Sequence, residues 1–118
     1  QKNTCLETLQ DFRDILPELP DRAHILLDTG QFLTTGQNIL QFTGTFADRI
    51  RHIHLRDQKN GQPVPFGEGD LPLGDLLTLL KETNYNGYLV FELEGAHWGD
   101  PASIALAARE SIGQVLAE

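Results

Sequence analysis

An α/β fold, with parallel strands alternating with helices, is what this sequence predicts. Two observations predict it. Three apolar runs, His24-Ile25-Leu26-Leu27, Ile50-Arg51-His52-Ile53 and Tyr88-Leu89-Val90-Phe91, are too short for helices, and each is followed by a helix-like stretch. The same runs end in Asp28, His54 and Glu92, so three β-α units each carry one residue that can bind a divalent metal. They carry it at the carboxyl edge of the strands, where parallel sheets build their sites.

The elements follow in order. Thr4 and Glu7 have capping-box spacing, and Leu6, Leu9, Phe12, Ile15 and Leu16 recur at helical intervals, predicting a helix over 4–16 that Pro17 and Pro20 end. The first strand, 24–28, shows no alternation and reads as buried on both faces, with Thr29-Gly30 breaking it. A second helix over 36–48 carries Ile39, Leu40, Phe42 and Phe46 as its apolar stripe, with Gly44 inside it. Residues 50–56 form the second strand. Residues 58–69, rich in Gly, Pro, Asn and Gln, read as a long loop, and long loops at this edge often cover a site.

Asp75 is placed to cap a helix bearing Leu76, Leu77, Leu79 and Leu80, and a turn at 84–87 leads into the third strand, 88–93. Asp100-Pro101 then opens a final helix over 101–117, with Ile104, Ala107, Ala108, Ile112, Val115 and Leu116 on its inner face. Three strands and four helices leave open sheet edges and one bare flank. A closed barrel of eight such units needs about 250 residues. The pattern is that of the C-terminal part of a (β/α)8 barrel, with an open three-layer sandwich as the alternative. The remainder of the barrel or an oligomer partner is expected to cover the edges.

Composition excludes several classes. With 40% hydrophobic and 22% charged residues in 118, the chain is an ordinary globular domain. A net charge of −8 argues against a nucleic-acid surface. No apolar run approaches the roughly 20 residues of a membrane span. One cysteine, Cys5, precludes an internal disulfide framework and fits a reducing, cytoplasmic compartment, as a structural thiol on a helix face. The chain opens on Gln1 and has no methionine, which points to a segment of a longer protein.

The strand ends carry the chemistry. Asp28 is open to two explanations: a carboxylate that needs a cation, or an Asx turn with Thr29-Gly30. His52, His54 and Arg56 share one face of the second strand by period two. His54, nearest the edge, can offer a neutral imidazole nitrogen, while His52, one step deeper, reads as a hydrogen-bonded interior histidine. Asp57 is placed to orient His54 or to bind substrate hydroxyls. Glu92 lies deeper than Glu94, which reads as a solvated rim carboxylate. Gly67-Glu68-Gly69 allows close backbone approach to a ligand, or a tight turn, which makes Glu68 a candidate substrate contact. Trp98 offers an aromatic wall for a sugar, or ordinary loop packing. Two carboxylates and an imidazole suit Mn²⁺, Mg²⁺ or Co²⁺, with Zn²⁺ accommodated. Such an ion would stabilise an enediolate formed from a small sugar or keto-acid, beside a carboxylate that moves the proton.

Leu-Asp-Thr-Gly at 27–30, His-Ile-His-Leu-Arg-Asp at 52–57, Gly-Glu-Gly-Asp-Leu-Pro at 67–72 and Tyr-Asn-Gly-Tyr-Leu-Val-Phe-Glu at 85–92 occur in the order and spacing of one family. Over nearly its whole length the chain resembles the xylose-isomerase-like TIM barrels, which include sugar-phosphate isomerases and epimerases and the endonuclease IV type of repair enzyme. The resemblance implies Asp28, His54 and Glu92 as three of four metal ligands, with a fourth, a glutamate, on a strand before Gln1. It also implies that Glu92 is one of two acid/base groups. A family histidine three residues after the aspartate is here Gln31, whose amide can hydrogen-bond a sugar but is a poor metal ligand. The endonuclease branch has an Asp-x-His pair in the loop after the second of these strands. No histidine occurs there, and the acidic charge also argues against DNA repair. The expected activity is that of an isomerase, epimerase or inosose-type dehydratase. A barrel that has lost catalysis and serves as a binding or assembly module is the alternative.

Overall fold

The computed structural model describes residues 6–117. The expectations for Thr4 and Cys5 lie outside the described residues. Helix α1 spans Leu9–Ile15, and its cap is Thr8. Thr8 Oγ1 accepts from Asp11 N at 3.2 Å, and the Asp11 carboxylate accepts from Thr8 N at 2.7 Å and from Glu7 N at 2.9 Å. Within the described residues the helix expected over 4–16 thus starts at Leu9, because the two partners of this box satisfy the orphan amides of the first turn reciprocally. The backbone amides of Thr8 and Glu7, followed by the Thr8 hydroxyl, hold the Asp11 carboxyl below the usual carboxylate range.

Strand β1 (Ile25–Asp28), β2 (Ile50–Leu55) and β5 (Tyr88–Phe91) form a parallel sheet in the order β1-β2-β5. Two short strands intervene in sequence, β3 (Asp57–Lys59) and β4 (Gln62–Val64), which pair as an antiparallel hairpin. The hairpin corrects the expectation of a featureless loop from 58. Its two-residue turn is Asn60-Gly61, both at positive φ (52° and 76°), the conformation that matches the twist of paired strands.

Helix α2 (Thr29–Thr35) begins where a break was expected. Asp28 ends β1 and at the same time caps α2, so the chain turns from strand to helix without a loop. Gly36, at φ 70°, stops it. Helix α3 (Ile39–Thr45) is shorter than the expected 36–48, because the Asn38 side chain caps it by accepting from Gln41 N at 3.0 Å. Helix α4 (Leu73–Glu82) starts after Pro72, so Asp75 stands in its first turn rather than at the cap, where its charge still complements the helix dipole. Helix α5 (Pro101–Ala117) opens as expected, with Asp100 Oδ1 accepting from Ser103 N at 3.1 Å.

The core lies on one face of the sheet. Leu27, Ile53 and Leu55 pack with Leu76, Leu77 and Leu80 of α4 and with Phe42 and Phe46. Phe42 is the hub of an aromatic cluster, edge-on to Phe12, Phe32 and Phe46 at centroid separations of 5.0, 4.9 and 4.8 Å. Among the described residues the other face is bare. Leu26, His52 and Tyr88 are in register across the three strands, as are Asp28, His54 and Val90, and Leu26 and Tyr88 are 53% and 72% exposed. The expectation that β1 is buried on both faces therefore holds within these residues for one face only. No helix among the described residues is long and apolar enough to cross a membrane.

Candidate metal centre

All three strand-end residues stand on the bare face, and the structure brings them together. One ligand atom from each of Asp28, His54 and Glu92 lies within 4.8 Å of the others. The parallel register makes this so, by setting Asp28 beside His54. Glu92 follows β5 by one residue and keeps its backbone in the ladder, donating to Leu55 O at 3.0 Å. His54 Nδ1 and Glu92 Oε2 are 3.1 Å apart, and both side chains are partly exposed. Two carboxylates and an imidazole in one cluster are a donor set suited to a hard or borderline divalent cation.

Both explanations offered for Asp28 have a part in its geometry. Its Oδ1 accepts from Gly30 N at 2.9 Å and Gln31 N at 3.2 Å, capping α2. It also has a cation, though an organic one. Arg56 Nε donates to Oδ1 at 2.9 Å and Nη2 to Oδ2 at 3.1 Å, a bidentate fork. Arg56 is itself held by Thr29, a fully buried residue whose Oγ1 donates to Arg56 O at 2.7 Å and accepts from Arg56 N at 2.9 Å. Gly30 completes the arrangement, since a Cβ there would collide with the Arg56 guanidinium. The sequence assigned no role to Arg56 here, and to Thr29 and Gly30 only the turn at Asp28. The signal available was the period-two face that Arg56 shares with His54.

Asp57 requires correction. Its carboxylate neither orients His54, whose partner is Glu92, nor is open to a sugar hydroxyl, for it is 2% exposed. Oδ1 accepts from Gln58 N and Leu71 N at 2.9 and 3.0 Å, and Oδ2 from Gly67 N and Gly69 N at 3.0 and 3.1 Å. Four backbone amides saturate it, so Asp57 organises the loop. Gly69 is glycine because a Cβ would strike the Asp57 carboxylate, and Gly67 because its φ is 89°.

The remaining candidates are placed less closely. Gln31 lines a cavity of about 110 Å³ whose wall includes Asp28, Leu26 and Phe32. Glu68 is exposed at the loop tip, and Glu94 is exposed at the rim as expected. Trp98 lines a small crevice with Phe66, Leu93, Ile104 and Ala108. The hydrogen bond expected for His52 is not made: its Nε2 is buried without a partner among the described residues, and its ring contacts those of His54 and Tyr88.

Comparison with known proteins agrees with the fold. The chain is 29% identical to an inosose dehydratase of Bacillus anthracis and 26% identical to one of Clostridium perfringens, over 95% and 92% of its length respectively. It spans only 43% and 44% of those relatives, less than half. Among solved structures, a 3-keto-D-glucoside 4-epimerase from E. coli superposes with a TM-score of 0.71 at 27% identity, over 98% of this chain and 42% of that one. The IOLI protein, solved with a bound zinc atom, superposes at 0.78 and 19% identity, over 98% and 46%. The sequence model of the xylose isomerase-like TIM barrels matches residues 1–115, and on a match of that extent the chain belongs to the xylose isomerase-like TIM barrel family.

Proposed function

We propose that the protein is a divalent-metal-dependent enzyme that moves a proton on a small sugar, keto-acid or inositol derivative, as an isomerase, epimerase or inosose-type dehydratase. The convergence of Asp28, His54 and Glu92 within 4.8 Å carries the proposal. Asp28, through the oxygen less occupied by the α2 cap, together with His54 Nδ1 and Glu92, would hold the ion. When bound, it would supply positive charge for the oxygens that become negative as a carbon beside a carbonyl loses its proton. Glu92 would take that proton and return it to the same or the neighbouring carbon or, in a dehydration, the proton would leave with the departing hydroxyl as water. His54 Nδ1 and Glu92 Oε2 stand 3.1 Å apart, so the two would reach the ion from adjacent positions, and their own contact would give way to it. Gln31 and Glu68 are the polar side chains proposed for substrate hydroxyls. Because the chain spans less than half of its curated relatives, the activity is proposed for the full-length natural protein.

Replacing Glu92 by Gln keeps the shape and removes both the charge and the basicity. Turnover of an inosose or ketose by the full-length protein with Mn²⁺ should fall by about 10³-fold or more, while the fold is retained. A rate within about tenfold of the wild type would remove Glu92 from the proton transfer. Metal and sugar binding without turnover in the wild type would favour the binding module.

A further inference from the structure

We propose that Arg56 is a positioning residue that sets how tightly the centre holds its cation: its fork on Asp28 weakens the binding of a divalent ion and keeps that ion exchangeable. The inference rests on Asp28, His54 and Glu92 being a metal centre.

Three consecutive residues are shaped around this one side chain. Asp28 takes both prongs of the fork, Thr29 locks the Arg56 backbone through two hydrogen bonds, and Gly30 leaves the space through which the guanidinium passes. Surface ion pairs are seldom built in this way. The result for Asp28 is specific. Oδ1 already accepts from Gly30 N, Gln31 N and Arg56 Nε, so its acceptor capacity is used up. Among the described residues Oδ2 accepts only from Arg56 Nη2, and it is the oxygen with a position left for a metal. An ion that takes it shares a carboxylate with a positively charged guanidinium. Like charges this close repel, and a partly buried pair is screened less than an exposed one. The carboxylate is thereby aimed by Arg56 and also made a weaker donor. The other two ligands carry no such opponent among the described residues, since His54 and Glu92 face each other.

The test is Mn²⁺ binding to the full-length natural protein, measured by calorimetry and by the paramagnetic resonance of the bound ion. Arg56→Gln should bind Mn²⁺ at least ~10-fold more tightly than the wild type, whereas Arg56→Lys, which keeps the charge, should stay within ~3-fold. Gly30→Ala suits a helix and pushes the guanidinium off Asp28, so it should tighten binding by roughly 3-fold or more, and it serves if Arg56→Gln does not fold. Unchanged or weaker binding in Arg56→Gln, or in Gly30→Ala where the first variant is unfolded, overturns the proposal. So does equal tightening in Gln and Lys, because charge would then not be the cause. A folded wild type with no saturable Mn²⁺ binding instead overturns the metal centre itself.

Discussion

Among single residues, Asp57 bears most directly on how the site is framed. A buried carboxylate is costly unless its charge is compensated, and here four backbone amides compensate it, two on each oxygen. The arrangement makes Asp57→Asn informative. Whichever way the amide is turned, its NH2 group faces two N–H donors, either Gln58 with Leu71 or Gly67 with Gly69. Two hydrogen bonds to a charged acceptor are lost, and the variant should be destabilised by about 2 to 3 kcal/mol in urea unfolding. Exchange of the Gly67 and Gly69 amides should accelerate before that of β2. A change below about 0.5 kcal/mol would show that the loop does not depend on this carboxylate. At this scale the sequence was legible in identity and less so in role. Asp28, His54 and Glu92 were visible because strand ends expose whatever stands there. Asp57 was misjudged because nearness to a ligand in sequence is not nearness in space: an odd step along the chain, here three residues from His54, points to the other face. Arg56 was passed over because its partner lies 28 positions away, across a register that periodicity alone does not supply.

Elements were legible where apolar periodicity decides them and obscure where side-chain caps do. α4 is the clearest case. Leu73, Leu76, Leu77 and Leu80 are all buried, and they anchor the helix on the face of the sheet opposite the metal cluster. Leu77→Ala removes atoms from a site with almost no solvent access and should cost about 2 to 5 kcal/mol. Leu106→Ala on the exposed side of α5 should stay within about 0.5 kcal/mol, and urea unfolding followed by circular dichroism compares the two. Equal losses would mean that α4 is not part of the core. α2 was invisible to the same logic. Thr29-Gly30 reads as a breaker by propensity, and Gly30 does weaken a helix, but the Asp28 cap and the need to admit Arg56 outweigh that cost. The β3-β4 hairpin was overlooked for a different reason. Asn60-Gly61 is a strong hairpin turn, but the flanking residues are polar and do not alternate, so the turn signal stood alone.

At the scale of the whole molecule, a parallel sheet ordinarily has both faces covered, and the described residues cover one face of this sheet. The bare face carries Leu26 and Tyr88 beneath the metal cluster, so the same surface holds the chemistry and awaits a covering layer. The alternation of strands and helices made the barrel legible; what lies over this face was not, because 118 residues span less than half of the relatives they match. The consequence for metal binding is quantitative. Asp28, His54 and Glu92 offer three ligands to an ion that takes up to six, and Asp28 shares its carboxylate with Arg56. His54 and Glu92 are partly open to water, which competes with the ion for both. The 118-residue chain by itself should therefore bind Mn²⁺ with a dissociation constant weaker than about 1 μM in a calorimetric titration. Tighter binding would mean that a fourth strong ligand comes from within these residues. Glu94 and Asp57 would then be the first to examine: Glu94 because it stands at the rim two residues from Glu92, and Asp57 because only release of its four amides could free it. Loss of amide protection at Gly67 and Gly69 on adding Mn²⁺ would identify Asp57; protection that persists while affinity falls in Glu94→Gln would identify Glu94.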